Sequence, residues 1–309
     1  MKCVRILLAT CNGSKYIGEM IDSILAQDYS DWQLILSDDG SRDETAEILE
    51  AYARKYPNRI THYRSGMRFG NAQDHFMHLL KVFGDAPYIM FCDQDDVWHS
   101  DKISKTMKKM KQIEVSGKPA MVHTDLRVVD GQLKLMDLSF MHFSKLDGHR
   151  LELKHLLVQN VVTGCTMMIN RALAALAVSH PAKEGIQMHD WWLALLASAV
   201  GTTGYVEEAT MDYRQHGNNV VGAKDGRSLQ SLVKKTCNTD IRSRMERSFR
   251  QAEMLLDCFC EYMSEVDRQI IENYTMISSC GWFKRRVMYI KGGYLMNTAA
   301  KRFGQIILG

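Results

Sequence analysis

The stretch Tyr88-Ile89-Met90-Phe91-Cys92-Asp93-Gln94-Asp95-Asp96-Val97-Trp98 joins an uncharged apolar run directly to a knot of carboxylates. Tyr88–Cys92 has the length of a strand and no charge to turn toward water, as expected of a strand covered on both faces. Working outward, Val4–Ala9, Trp32–Leu36 and Ile60–Tyr63 are further short strand-like runs. Helical patterns lie between them. Ile17, Met20, Ile21, Ile24 and Leu25 recur at three- and four-residue spacing, Ala46, Ile48, Leu49 and Tyr52 follow Asp43 and Glu44, and Phe76, Leu79, Leu80 and Phe83 line one side of 71–83. Acidic residues at a helix start suit the positive end of its dipole. Strands alternating with helices at this spacing pair in parallel through crossovers, which predicts an α/β sheet. In such a sheet the ligand lies outside the carboxyl ends of the strands. The acidic clusters at 38–39 and 93–96 both fall there.

With 46% apolar and 24% charged residues among 309, the composition is that of a globular protein and excludes disordered and collagen-like classes. Thirty-nine basic against 36 acidic residues, a net charge of +3, gives no reason to expect nucleic acid. Eight cysteines without CxxC pairs read as free thiols of a reducing compartment. Ile6–Ala9 is too short for a signal-peptide core. Trp191–Val206, interrupted by Gly201-Thr202-Thr203-Gly204, is too short for a membrane span and reads as a buried helix running into a turn. These features point to the cytoplasmic side. Ala120–Thr124 and Thr166–Ile169 read as strands and His189–Val200 as a helix, and from about Ser228 the pattern is helical and charged. The expected division is a catalytic domain, 1–225, and a helical extension, 226–309.

Four polar clusters carry chemistry. Asp93, Asp95 and Asp96 repel one another unless a cation or solvent relieves them, and an oxygen-rich, imidazole-poor set suits Mg2+ or Mn2+ shared with substrate phosphates. The plainer reading is an acidic loop capping the next helix through Asp96 or Ser100. Asp38 and Asp39, in Ser37-Asp38-Asp39-Gly40-Ser41, fit an Asx-type turn equally well. Asp190, in Met188-His189-Asp190-Trp191-Trp192, is either an N-cap or a carboxylate in a partly dry pocket with a raised pKa, usable as a base. Tyr213-Arg214-Gln215-His216-Gly217-Asn218-Asn219 also reads as a surface turn.

Taken in order, Leu7–Asn12, Ile24–Gln27, Ser37–Ser41, Asp93–Trp98, His189–Trp192 and Tyr213–Asn219 resemble a family 2 glycosyltransferase of the GT-A fold over residues 3–222. Asn160–Asn170 (NVVTGCTMMIN), HDWW and YRQHGNN followed by VVGA are most similar to bacterial rhamnosyltransferases of cell-wall and capsule polysaccharide synthesis. The resemblance implies a Rossmann-like, mainly parallel mixed sheet flanked by helices; the helical C-terminal extension, read from the pattern after Ser228, follows it. It implies that Thr10 and Asn12 line the nucleotide pocket and that Asp39, with Asp38 beside it, accepts the pyrimidine N3–H. Asp93 and Asp95 match the ends of a DxD motif holding a divalent ion on the donor diphosphate, with Asp96 near the donor sugar. Asp190 resembles the general base. His216 resembles a residue closing over the diphosphate or the metal. Cys11 departs from the more usual Pro or Tyr, and the QxxRW motif of processive synthases is missing, which favours one or a few transfers per acceptor.

The implied reaction is an inverting transfer of L-rhamnose from dTDP-β-L-rhamnose to a hydroxyl of a lipid-linked polysaccharide, with Trp191 and Trp192 on the acceptor side. A UDP-hexose or UDP-N-acetylhexosamine donor remains open within the family. From other classes come a nucleotide-sugar pyrophosphorylase, disfavoured by a loop at Thr10–Lys15 with one Gly and one Lys, and a non-catalytic sugar-nucleotide-binding protein. Residues 282–308 hold Lys284, Arg285, Arg286, Lys291, Lys301 and Arg302 among aromatic and aliphatic residues with no acid. That pattern suits helices lying in a membrane interface at the inner face of the plasma membrane, or packing on the catalytic domain.

Overall fold

The computed structural model describes residues 4–180, 186–215 and 238–308. The strands are β1 (Val4–Thr10), β2 (Trp32–Asp38), β3 (Ile60–Tyr63), β4 (Tyr88–Cys92), β5 (Val97–Trp98), β6 (Ala120–Val129), β7 (Leu135–Asp137), β8 (Met168–Asn170) and β9 (Thr202–Arg214). The helices are α1 (Ile17–Leu25), α2 (Thr45–Lys55), α3 (Ala72–Phe83), α4 (Lys102–Ile113), α5 (Phe140–Ser144), α6 (Leu153–Leu156), α7 (Arg171–Ser179) and α8 (His189–Val200). After these come α9 (Asn238–Phe259), α10 (Glu265–Ser279), α11 (Trp282–Gly292) and α12 (Ala299–Leu308).

The sheet runs β3-β2-β1-β4-β8-β6-β9-β5, with β7 beside β6. The β3-β2-β1-β4 half is parallel, and β6 and β9 form a second long parallel ladder. Short antiparallel pairings of β8 with β4 and β6 join the halves. Both faces are covered, and this explains the unbroken apolar strands. Along β4, Ile89 and Phe91 enter one core while Tyr88, Met90 and Cys92 enter the other; along β1, Leu7 opposes Ile6 and Leu8.

Helices α1, α2 and α4 cover one face through residues such as Ile21, Leu49 and Met110. The other face is covered by α3, α7 and α8, and that core continues without a break into α9–α11 through Phe249, Leu255, Tyr274 and Tyr289. Gln187, just ahead of α8, donates its backbone N–H to the buried Gln251 side chain of α9 at 2.9 Å. The expected 225/226 boundary lies outside the described residues. Where a turn is expected at Gly201-Thr202-Thr203-Gly204, the long strand β9 begins. Gly201 caps the end of α8 and β9 starts directly at Thr202, so that Gly204 lies in the strand and not in a turn; Gly201 passes against the Pro119 carbonyl, where a Cβ would lie 2.1 Å away.

Candidate functional site

Strand β4 delivers the acidic loop 93–96 to the carboxyl end of the sheet, and β5 returns it onto β9 with Val97 opposite Asp212. Neither Asp96 nor Ser100 caps the following helix; Asp101 occupies that position. One oxygen of the buried Asp96 accepts the backbone N–H of Arg214 at 3.2 Å, and the other has no hydrogen-bond partner. The Cys165 thiol, in a 3₁₀ turn at Gly164–Thr166, joins them: ligand atoms of Asp93, Asp96 and Cys165 lie within 4.8 Å of one another. Burial, then the charges of Asp95 and Asp190, push the Asp93 pKa up to about 7. Burial and the same crowding drive Asp96 well above the carboxylate range. Buried carboxylates that strain against one another, with an orphaned oxygen among them, fit a divalent cation, the species that would relieve both.

Arg214 holds this loop. It is 3% exposed, and its guanidinium donates to the carbonyls of Asp95 (2.8 Å) and Gly131 (3.1 Å), pairs with Glu19 and stacks on Tyr16. On the other side of the acids, the ammonium of the fully buried Lys102 bonds Thr210 Oγ1 at 3.2 Å. Burial lowers its pKa to about 8, an effect opposed by Cys165, Asp96 and Cys92.

Asp190 is bound to the same 3₁₀ turn, because its carboxylate accepts from Gly164, the neighbour of Cys165, whose thiol stands beside Asp93 and Asp96. It does not cap α8, whose N-cap is Met188. Within the first turn its carboxylate accepts the N–H groups of Trp191 (2.5 Å) and Gly164 (3.1 Å) and the side-chain amide of Asn160 (3.2 Å). Burial pushes its pKa up to about 6. Its neighbour His189 is buried between Phe76 and Phe91, with its pKa lowered to about 3 by burial, and is therefore neutral. Gly164 is required there because a Cβ would sit 2.7 Å from His189 Nε2.

The loops after β1 and β2 form the remaining wall. The Thr10 hydroxyl donates to Gln94 Oε1 at 2.5 Å, and the Cys11 N–H reaches the same oxygen at 2.9 Å, tying the β1 loop to the acidic loop. Asn12, at φ 53°, accepts the Arg42 N–H at 2.9 Å through its side chain. Asp38 closes its own turn by accepting from Ser41, as the Asx reading expects. Asp39 does something else. Its two oxygens accept the N–H groups of Phe69 (2.5 Å) and Gly70 (2.7 Å), clamping the 65–71 loop over the cleft.

Thus Asp93, Asp96 and Asp190 converge, with Asp95 close enough for its charge to act on Asp93 and Asp96. Thr10, Asn12, Asp38 and Asp39 gather at the ends of β1 and β2. His216 lies outside the described residues. Trp191 is half-buried, with its ring N–H on the Leu156 carbonyl at 2.6 Å. Trp192 corrects the acceptor-side expectation: it is 3% exposed and packed toward Phe259, in the core, because the apolar α8 is surrounded by other elements. Arg214, Gln94, Cys165, Asn160 and Gly164 also build the site; all five stand inside the segments that carry the resemblance, but no local pattern gives any of them a role.

A family model described as Glycosyl transferase family 2 matches residues 5–175, more than half of the chain. The chain belongs to this family. The dTDP-rhamnosyl transferase RfbG of Shigella flexneri is 30% identical over 229 residues, covering 70% of this chain and 74% of that protein. The structure of S. aureus TarS 1-349 in complex with UDP-GlcNAc superposes with a TM-score of 0.59 at 15% identity, covering 94% of this chain and 79% of that one. The mannosyltransferase PcManGT from Pyrobaculum calidifontis, in complex with GDP-Man and Mn2+, gives a TM-score of 0.51 at 13% identity, covering 94% and 85%. The fold is GT-A with a helical C-terminal region, and the protein is a glycosyltransferase.

Proposed function

We propose that this glycosyltransferase moves L-rhamnose from dTDP-β-L-rhamnose, with inversion, onto a hydroxyl of a lipid-linked cell-surface polysaccharide, a few residues at most per acceptor. The observation that carries the reading is the buried carboxylate of Asp190, with its pKa raised to about 6, facing the acidic loop of Asp93 and Asp96. The sugar assignment is supported by the 30% identity to a dTDP-rhamnosyl transferase, and the use of a nucleotide sugar by the ligands of the solved relatives.

In this reading Asp39 and Thr10 bound the nucleotide end, with the Phe69-Gly70 backbone over it. Asp93 and Asp96, aided by Asp95, would hold a divalent ion, Mn2+ or Mg2+, which when bound neutralises the leaving diphosphate. Asp190 takes the proton of the acceptor hydroxyl. A pKa near 6 keeps it ionised at neutral pH yet basic enough to accept, and the donors from Gly164 and Asn160 fix its direction. One base opposite the leaving group makes a single in-line displacement, so a β-linked donor yields an α-rhamnoside. Trp191 stands beside Asp190 as an acceptor wall. The test is a donor panel (dTDP-rhamnose, UDP-glucose, UDP-galactose and UDP-N-acetylglucosamine, each with Mn2+ or Mg2+) scored by nucleotide release and product mass. Fastest turnover of dTDP-rhamnose supports the assignment; preference for a UDP-sugar overturns it.

A further inference from the structure

The C-terminal helices turn one face into the shared core and the other to solvent. Tyr289 and Tyr294 are buried, whereas Trp282 (67%), Phe283 (74%), Ile290 (57%), Phe303 (68%) and Ile307 stand exposed. The two helices meet where Trp282 and Ile307 stand. The Arg286 guanidinium stacks on Trp282 at 4.2 Å and donates to the carbonyls of Trp282, Ile306 and Ile307 at 2.7–2.9 Å, binding the start of α11 to the end of α12. At 100° per residue, Phe283, Val287 and Ile290 share a stripe of α11, flanked by Lys284 and Lys291. No acid occurs from 281 to 309. Exposed aromatic and aliphatic groups with cations beside them on two helices locked together match an anionic bilayer interface, in which the rings enter and the ammonium groups meet headgroups.

The α11–α12 face is also wired to the acceptor side of the cleft. Between α11 and α12, the Asn297 N–H donates to Gln159 Oε1 at 2.9 Å, and the Leu295 carbonyl accepts from Arg150 at 2.5 Å. Gln159 adjoins Asn160, which holds Asp190, and follows Leu156, which holds Trp191.

We propose that the α11–α12 face docks on an anionic lipid surface and so presents the Asp190 side of the cleft to acceptors carried in that surface. The docking itself stands without the sugar assignment; its use for a lipid-linked acceptor rests on the function proposed above.

The test uses the full chain, because Tyr289 and Tyr294 belong to the core and truncation would open it. Flotation is compared on phosphatidylcholine vesicles and on vesicles containing phosphatidylglycerol, for wild type, Phe283→Ser with Phe303→Ser, and Lys284→Gln with Lys291→Gln. Circular dichroism and dTDP binding in Mn2+ serve as controls that report on fold and donor site independently. The expected result is flotation on the anionic vesicles only, reduced at high salt. The lysine pair should lower apparent binding at least about tenfold, from roughly 1 kcal/mol per basic group, and the phenylalanine pair should abolish it, with dTDP binding unchanged. Absence of flotation by the wild type, equal flotation of all variants, or a concentration-dependent dimer that the phenylalanine pair dissolves would overturn the proposal.

Discussion

At the residue scale the decisive group is Asp190. Asp190→Asn keeps the shape and the side-chain carbonyl but accepts no proton, so turnover should fall at least about 100-fold while dTDP affinity stays within a few-fold. Wild-type turnover should rise with pH through about 6, as the carboxylate ionises; a flat profile, or near-native turnover of the variant, would show that another group serves as base. The same shift has a stability consequence. A carboxyl whose pKa is raised by folding binds its proton more tightly in the native state, so its contribution is complete below the ordinary carboxylate range and is lost as pH rises through about 6. His123 and His189, lowered by burial to about 4 and about 3, push the opposite way in that window. The clean measurement is therefore a difference. In chelator, the unfolding free energy of Asp190→Asn relative to wild type, measured by urea titration, should climb between pH 4 and 6, with a slope of at most about 1.4 kcal/mol per pH unit. A difference independent of pH would mean that Asp190 is not strained by burial.

At the element scale the acidic loop is shaped by its neighbours more than by its own sequence. Arg214, the last residue of β9, supplies the bonds that keep Asp95 and Asp96 facing inward. Arg214→Ala strands the carbonyls of Asp95 and Gly131 and takes away the partner of Glu19, while the backbone N–H to Asp96 and the Lys102 ammonium remain. The cost should be about 2–3 kcal/mol, below that of breaking a fully buried pair because Glu19 reaches water. Calorimetric titration should show weaker dTDP binding. Arg214→Lys should recover little of it, since one ammonium cannot span the three directions the guanidinium serves; full recovery would reduce Arg214 to a point charge. Gly164→Ala tests the opposite wall. Its Cβ would press on His189 and shift the start of α8, costing about 1–3 kcal/mol by overpacking and lowering turnover more than donor binding.

At the scale of the whole molecule, the helical extension is part of the catalytic unit. Phe259 lies 6.0 Å from Trp192, and Tyr274 and Tyr289 fill the same core as α8. Tyr289→Ala should cost about 3–5 kcal/mol and should weaken the entire protein. Urea unfolding followed by tryptophan fluorescence and by far-ultraviolet circular dichroism should give coincident curves. An early, separate loss of helix would show that the extension folds on its own. Among the described residues no helix is long and apolar enough to cross a membrane.

Several features were legible in the residues alone. Tyr88–Cys92 and Ile60–Tyr63 are strands with the bounds their apolar runs predict, His189–Val200 is the helix expected, and the acidic clusters stand at the carboxyl ends of β2 and β4. Those readings succeed because burial on two faces and helical periodicity are local properties of the chain. Tertiary structure alone decided the rest. It set Cys165 beside Asp93 and Asp96, made Arg214 their anchor from 118 residues away, turned Trp192 inward, and sank Arg286 between two helices of an otherwise exposed basic tail. The physical reason is common to all four. A polar or aromatic side chain is neither core nor site until crossover connections bring its partner, and the position of that partner depends on the packing of distant elements, which no local pattern records.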